Sequence, residues 1–260
     1  MKKLFNRLSV FAAVVVTVAL LAGCRSNSGQ ITQVSTINAL MAGAYQGQMA
    51  CGELLQYGNC GVGTFDSLDG EMLILDGTVY QIKADGKVYR PNARVTTPFA
   101  CVVDFKASKP VTLKPCDMKQ FTTEFDAMYP DTHLFYAVRV DGKFKQVVAR
   151  SVPRQHPPYK KLVEVAKNQK VFTLKNVEGT IFGIRCPEFV KGLNVPGYHL
   201  HFITKDRTKG GHVLSFQLKS GQMQADSYNV FKMILPVDSK NLKNIDMAKD
   251  RSHEIEKVEK

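Results

Sequence analysis

Three Asp-Gly pairs, at residues 69–70, 76–77 and 85–86, constrain the fold of this 260-residue chain more than any other feature. Each pair lies between short runs rich in β-branched and aromatic residues, and Asp-Gly in that setting is a strong signal for a β-hairpin turn. The spacing predicts an antiparallel meander that extends to about residue 104. Hydrophobic residues make up 44% of the chain, enough to bury a core against such a sheet.

Helical patterns flank these strands. The pattern of residues 32–48 predicts a helix, and Ser35 or Thr36 can serve as its N-cap. Its apolar residues recur at helical spacing and are Ile37, Leu40, Met41 and Ala44. Residues 119–130 predict a second helix, and the charged C-terminal tail is expected to end in a third.

The order of the predicted elements favours an α+β fold. Further β-rich runs occur at 179–186, 198–204, 212–219, 222–226 and 229–235. The chain thus alternates blocks of strands with single helices, which differs from the repeated βαβ pattern of a parallel sheet. A division into two domains falls near residue 145, although no linker composition marks it.

The first 23 residues have the pattern of an export signal. A basic start precedes the apolar stretch FAAVVVTVALLA, which is too short to span a membrane as a mature helix, and small residues follow. LLAGC resembles a bacterial lipobox, in which Cys24 becomes the lipidated first residue; the alternative is plain cleavage beside an ordinary cysteine. With residues 24–30 as a tether, we expect an exported, membrane-anchored lipoprotein on the periplasmic or cell-surface side.

The formal net charge of +12 raises the question of a nucleic-acid partner. Lys and Arg are spread along the chain without a block of five or six, and no zinc-finger spacing or RNP-like motif accompanies them. We therefore expect no nucleic-acid partner, and a basic surface that favours anionic small molecules. Most cysteines beyond Cys24 are interpreted as small buried residues, although export would permit disulfides. These are Cys51, Cys60, Cys101, Cys116 and Cys186.

The segment GYHLHFITKDRTKGGH (197–212) contains three of the six histidines. In a strand, His199 and His201 lie on one face with roots roughly 6–7 Å apart. If the two β-rich runs of the segment pair as a hairpin, His212 falls beside His201, about 5 Å away. Three neutral imidazoles with an open position are typical of catalytic zinc. A register shift of one residue would turn His212 away, and a polar hairpin without metal is the alternative.

Five segments in a fixed order resemble the alpha-acetolactate decarboxylase family, and the resemblance extends over nearly all of the mature chain. They are INALMAGAYQG (37–47), GELLQYGNCGVGTFDSLDGEMLILDGTVYQ (52–81), RSVPR (150–154), EGTIFGIRCPEF (178–189) and GYHLHFITKDRTKGGHVLSF (197–216). The resemblance implies a two-domain α+β homodimer. A mixed-sheet domain (31–145) would precede an antiparallel β-barrel-like domain (146–260) that carries the metal site and the charged tail.

The same resemblance implies zinc-dependent decarboxylation of (S)-2-acetolactate to (R)-acetoin and CO₂, a step of acetoin and butanediol biosynthesis. The three histidines would hold the zinc, which would act as the electron sink for the enediolate. Arg150 in VVARSVPR would orient the departing carboxylate. Glu71 in LDGEM would handle protons, and Thr64 in VGT would supply a nearby hydroxyl.

A C-terminal glutamate also reaches the site in that family, and we place it at Glu259 in HEIEKVE. Glu254 and Glu256 in the same segment stay open as alternatives, and without the resemblance all three are typical of a solvated helix face. Two other functions would retain the histidines. A zinc-binding lipoprotein without catalysis gives no role to Arg150 or Glu71, and a zinc-dependent hydrolase would instead use zinc-bound water.

Overall fold

The structure is a computed structural model that describes residues 29–237, 242–243 and 245–259. The predicted signal segment and Cys24 lie outside the described residues, so export and lipid anchoring stay predictions. No helix within the described ranges is long and apolar enough to cross a membrane.

The described residues form fifteen strands, five α-helices and three 3₁₀ turns. The strands are β1 (Gln30–Val34), β2 (Met49–Ala50), β3 (Cys60–Thr64), β4 (Glu71–Leu75), β5 (Thr78–Ile82), β6 (Val88–Tyr89), β7 (Thr96–Thr97), β8 (Ala100–Val103), β9 (Val111–Leu113), β10 (Cys116–Asp117), β11 (Phe135–Ser151), β12 (Lys170–Cys186), β13 (Gly197–Thr204), β14 (Gly210–Tyr228) and β15 (Val230–Ile234). The helices are α1 (Ile37–Met41), α2 (Cys51–Leu54), α3 (Met118–Met128), α4 (Leu162–Val165) and α5 (Ser252–Glu259). The 3₁₀ turns are Asp66–Leu68, Ala166–Asn168 and Glu188–Val190.

Seven strands form a mixed sheet in the order β15-β1-β8-β3-β4-β5-β6. β15 pairs with β1 in parallel, whereas the other neighbours are antiparallel. The predicted meander is confirmed from β3 to β6. Its turn at Asp76 and Gly77 has positive φ at both residues, 50° and 74°, as a two-residue hairpin with the twist of the flanking strands requires.

The second sheet is antiparallel and has the order β10-β14-β11-β12-β13, with β9 also on β14. β13 additionally pairs with β14 over three residue pairs, so the strands β14, β11, β12 and β13 form a closed series of pairings. A barrel-like domain and a domain division near residue 145 stay predictions. β11 runs through residue 145 without a break, and β15 joins the mixed sheet from the C-terminal half.

Both faces of the mixed sheet are covered, which explains why its central strands are continuously apolar. Leu73 and Leu75 of β4 lie in a core cluster shared with β12 of the second sheet. Met72 and Ile74 point the other way and pack with α2. Since side chains alternate along a strand, Glu71 lies on the same face as Leu73 and Leu75. β4 therefore begins with a carboxylate directed at the second sheet.

A register irregularity in β11 decides the direction of Arg150. Before it, Val138 and Val140 point into the core of the second sheet. After it, Val147 and Ala149 do so, because the pairing of β11 with β14 has shifted between the two stretches. Arg150 therefore lies on the opposite face from Ala149 and points toward the mixed sheet.

The helix predicted for residues 32–48 is wrong over most of its length. The chain forms β1 up to Val34 and then only the short α1, whose N-cap is Thr36, one of the two predicted caps. Ser35 has φ of 60°, which a right-handed helix does not adopt. β1 is also held between β8 and β15, so long-range pairing overrides the local helical pattern.

Other predicted elements fare better. The helix at 119–130 is confirmed as α3, and the helix at the end of the tail is confirmed as α5. The runs at 212–219 and 222–226 belong to one continuous strand, β14. The five cysteines of the described ranges are buried free thiols, as interpreted from the sequence.

Candidate active site

The hairpin of β13 and β14 brings three histidines together on the face that meets the mixed sheet. His201 lies directly opposite His212, so the predicted register is confirmed. Leu200 and Phe202 point into the core of the second sheet, and the alternation directs His199 and His201 away from it. The ring centroids of the three imidazoles are 4.9 to 5.4 Å apart.

Backbone carbonyls fix the tautomers of His201 and His212. Nδ1 of His201 lies 2.7 Å from the carbonyl oxygen of Met72, and Nε2 of His212 lies 3.3 Å from that of Glu259. A carbonyl oxygen only accepts hydrogen bonds, so these two nitrogens carry the protons. Nε2 of His201 and Nδ1 of His212 therefore present lone pairs, and the latter has no hydrogen-bond partner among the described residues.

The three imidazoles fit a divalent cation. Nε2 of His199 and Nε2 of His201 are 3.1 Å apart, and one nitrogen from each histidine lies within 4.8 Å of the others. Two nitrogens bound to a tetrahedral zinc are separated by about 3.3 Å, as its bond length requires. A buried, unpartnered lone pair on His212 is also what a metal ligand presents. The cluster can therefore hold a metal ion.

A buried arginine joins two carboxylates beside the histidines. Nη1 of Arg150 donates to Oε1 of Glu71 at 3.2 Å, and Nη2 donates to Oε1 of Glu259 at 3.4 Å. The other carboxylate oxygens face the imidazoles. Oε2 of Glu71 lies 3.6 Å from Nε2 of His201, and Oε2 of Glu259 lies 3.7 Å from Nε2 of His199. Arg150, Glu71 and Glu259 are only 3%, 5% and 8% exposed, so water screens the interactions between their charges only weakly.

Burial sets the protonation states of this group. It lowers the pKa of all three histidines, and the nearby Arg150 charge lowers these pKa values further. At His199 the Glu259 carboxylate opposes the shift without reversing it, so all three imidazoles are neutral. Burial also raises the pKa of Glu71 to about 7; Arg150 opposes this shift and the Glu259 carboxylate adds to it. A carboxyl group that titrates near neutral pH can both hold and release a proton.

The C-terminal glutamate in this group is Glu259, as placed from the sequence. α5 buries Ile255, Val258 and Glu259, which are spaced as one face of a helix. Glu256 is exposed and Glu254 is only half-buried, so neither alternative occupies this position.

Thr64, the fourth residue singled out with Glu71, Arg150 and Glu259, lies opposite Glu71 in the pairing of β3 with β4. Its hydroxyl donates to the carbonyl oxygen of Gly70 at 2.8 Å. The hydroxyl proton is thus engaged, and the oxygen toward the site can act only as an acceptor.

The sequence pattern did not indicate the apolar side of the site. A small, partly open pocket of about 30 Å³ borders the charged group, and its apolar lining comes from α1, α4 and neighbouring loops. These side chains are Ile37, Leu40, Leu68, Phe99, Val152 and Leu162. The helical spacing of Ile37 and Leu40 marked a buried face, but a local pattern does not identify what that face contacts.

The chain is similar to known proteins over most of its length. The sequence model of the family described as alpha-acetolactate decarboxylase matches residues 31–249. The chain is 47% identical over 234 residues to alpha-acetolactate decarboxylase of Methanosarcina mazei, across 90% of this chain and 81% of that protein. It is 42% identical over 231 residues to the Methylococcus capsulatus protein of the same name, across 88% of each. The crystal structure of alpha-acetolactate decarboxylase from Bacillus subtilis superposes with a TM-score of 0.86 at 35% identity, across 88% of this chain and 99% of that one.

Proposed function

This chain belongs to the alpha-acetolactate decarboxylase family, and from this membership we propose that it converts (S)-2-acetolactate into (R)-acetoin and CO₂ in a zinc-dependent reaction. Its relatives carry the name of a carboxy-lyase, so the chain is an enzyme that breaks a carbon–carbon bond. The substrate is a small anion with a carboxylate, a hydroxyl and an adjacent ketone.

One observation carries the proposal: a buried arginine and two buried carboxylates face the three histidines beside one small pocket. Burial of three charged side chains is costly, and such a group contributes little stability compared with apolar residues of the same size. A protein that only stored metal would require the histidines but not Arg150 or Glu71. The arrangement therefore favours chemistry at the histidines over simple binding.

Zinc bound to these histidines would supply a Lewis acid that stabilises the negative charge left on the substrate after loss of CO₂. The chain itself keeps the three ligands neutral, so that they do not cancel the charge of the ion. The carbonyls of Met72 and Glu259 orient the rings of His201 and His212 by accepting hydrogen bonds from their second nitrogens.

Arg150 orients the substrate carboxylate. Its two terminal nitrogens already donate to Glu71 and Glu259, while its Nε has no hydrogen-bond partner among the described residues. That N–H is a buried donor, available to a carboxylate that enters the space. Because the carboxylate must leave as neutral CO₂, Arg150 positions it for cleavage and does not gain by binding it tightly.

Glu71 and Glu259 handle protons. The reaction consumes one proton in net: the carbon that loses CO₂ takes up a proton, and a proton removed from the substrate hydroxyl is returned to that oxygen in the product. The two carboxylates are fixed on different elements, β4 and α5, and both are held by Arg150. A proton delivered from one fixed side yields a single enantiomer of acetoin.

The decisive experiment incubates the purified protein with racemic acetolactate and measures acetoin and its chirality, with and without a chelator. We expect (R)-acetoin, loss of activity with the chelator, and recovery with Zn²⁺. Absence of acetoin from zinc-loaded protein would overturn the proposal. It would leave the zinc-binding lipoprotein or the hydrolase, and release of acid from ester substrates would separate these two.

A matched pair of variants tests the arginine. Arg150→Lys keeps the charge but lacks the planar set of donors, so we expect normal zinc content with a much lower rate. Arg154→Lys is the control, because Arg154 is half exposed and pairs with Asp66 and Asp69 outside the charged group. Wild-type turnover by Arg150→Lys would remove the orienting role.

We further propose that the protein is exported, anchored through lipid on Cys24, and homodimeric. The basic and apolar start of the chain with LLAGC supports export and anchoring. Cys24→Ser is expected to move the protein from the membrane fraction to the soluble fraction. Light scattering on the protein without its first 24 residues gives the oligomeric state, and a monomer would contradict the dimer.

A further inference from the structure

Asn38, in the first turn of α1, contacts a part of the chain more than 200 residues away. Its side chain is 5% exposed, and Nδ2 donates to the carbonyl oxygens of Met247 at 3.2 Å and of Lys249 at 3.1 Å. Both acceptors are carbonyls, so the amide nitrogen must face them. One side chain thus makes two hydrogen bonds to the backbone that leads into α5.

The contacted backbone is a turn with its own internal support. Arg251 is 7% exposed, and its Nη1 donates to the carbonyl oxygens of Asp246 at 2.8 Å and Lys249 at 3.3 Å. The Lys249 carbonyl therefore accepts from Arg251 and from Asn38. α5 begins directly after this turn, with the Ile255 N–H bonded to the Arg251 carbonyl.

On its other side, α1 is fixed to the body of the protein. The N–H groups of Ile37 and Asn38 donate to the carbonyls of Leu193 and Gly192, and Thr36 caps the helix. These bonds satisfy donors that a helix N-terminus leaves free. α1 also lines the active-site space, so Asn38 connects a fixed wall of the site to the segment that carries Glu259.

α5 requires such support, because an eight-residue helix is not stable by itself in water. Its buried apolar side chains are Ile255 and Val258, and residues 246–250 before it are exposed. Glu259 lies at the end of this short helix, where a small change in the preceding turn moves the carboxylate away from Arg150 and the histidines.

We propose that Asn38 is a positioning residue that fixes the turn at 246–251 against α1 and thereby holds the Glu259 carboxylate in the active site. It touches neither the substrate space nor the histidines and acts through Glu259. This inference rests on the proposed function, since the effect on turnover presupposes decarboxylation, whereas the contact itself is tested without activity. A residue that only stabilised the fold would affect turnover independently of Glu259.

The test compares Asn38→Asp, Glu259→Gln and the double variant as zinc-loaded, full-length proteins. Asp has the shape of Asn but cannot donate to two carbonyls at neutral pH. Loss of a proton-handling group costs about 10²-fold in kcat or more, and this is the expected effect of Glu259→Gln. We expect Asn38→Asp to lower kcat at least about 10-fold in the wild-type background and less than about 3-fold in the Glu259→Gln background.

A second measurement is independent of turnover. Trypsin cleaves after Lys249 and Arg251, and mass spectrometry of the released C-terminal peptides follows the release of this turn. We expect release to be about 10-fold faster or more in Asn38→Asp, with zinc content unchanged at the three histidines. Asn92→Asp is the matched control, because Asn92 is exposed and its Oδ1 accepts from the nearby Arg94 N–H.

Each outcome decides the inference. Equal losses of kcat in both backgrounds, or unchanged tryptic release, would overturn it. If Asn38→Asp fails to fold, Asn38→Ser, which keeps one donor on a shorter side chain, serves for the same cycle and the same digestion. Absence of acetoin from the wild-type protein would refute the proposed function but not the tryptic arm.

Discussion

Replacement of Arg150 by methionine tests the charged group as a unit. Arg150→Met keeps most of the side-chain volume but removes the cation that lies 3.2 Å from Glu71 and 3.4 Å from Glu259. The two carboxylates would then remain almost fully buried, and the described residues place no other cation beside them in the protein without metal. Breaking a buried pair by removing one partner costs about 3–5 kcal/mol of folding free energy.

The structure indicates that this cost applies to only one of the two carboxylates. Glu71 has a pKa raised to about 7, so at neutral pH it can take up a proton at little free-energy cost. Only the Glu259 charge then remains uncompensated. A loss of about 3–5 kcal/mol lowers the unfolding temperature of a chain of this size by about 6–20 °C.

Thermal unfolding of chelator-treated protein measures the effect without a bound cation that would compensate the carboxylates. Arg150→Met/Glu259→Gln should regain most of the loss, because the unpaired charge is then gone. Arg154→Met is the control, since its half-exposed pairs with Asp66 and Asp69 are worth no more than about 1 kcal/mol. If Arg150→Met loses less than about 1 kcal/mol, or if the Gln substitution recovers nothing, the reasoning about the buried charges is refuted.

Three further substitutions test the rest of the site. His201→Ala should abolish zinc binding and acetoin formation together, as measured by metal analysis and a chemical assay for acetoin, and retained stoichiometric zinc would contradict the ligand set. Glu71→Gln should keep zinc but lose about 10²-fold or more in kcat, and full activity would exclude it from proton handling. Leu162→Ala should cost about 2–5 kcal/mol of folding free energy and enlarge the apolar side of a space of about 30 Å³. It should thereby raise kcat/KM for 2-acetohydroxybutyrate relative to acetolactate about 10-fold, and an unchanged ratio would separate Leu162 from substrate size.

Elements with local causes were predictable from the sequence. The turn at Asp76 and Gly77 requires positive φ at both positions, and few residue pairs other than Asp-Gly adopt that conformation readily. The hairpin could therefore be predicted from these two residues. α3 begins with a capping box formed by Asp117 and Gln120. These residues are only three positions apart, so a short stretch of sequence contains the signal for the start of the helix. β1 differs, because its state is decided by β8 and by β15 some 200 residues later. No local stretch of the sequence contains that partner, so the helical spacing of Ile37, Leu40 and Met41 predicted α1 but gave no sign that the chain before it forms a strand.

The residues of the candidate site also fall into two groups: those whose position follows from local sequence and those whose position depends on distant parts of the chain. The three histidines belong to one hairpin, where strand alternation and a single register bring them together, so this group of possible metal ligands could be predicted. Glu259 followed from the resemblance, and the helical face shared with Ile255 and Val258 explains its position. Arg150 points into the site only because of a register shift within β11, which no residue pattern specified.

The hairpin with the three histidines supplies only part of the candidate site. A hairpin that holds metal needs contacts within about sixteen residues, whereas Glu71, Arg150 and Glu259 reach the histidines from three separate elements, β4, β11 and α5. The raised pKa of Glu71 also depends on burial between two sheets, and a hairpin by itself cannot provide this. The motif therefore indicates a group that can hold a metal ion, while the proposed decarboxylation also depends on the side chains that the two sheets and the C-terminal helix bring to it.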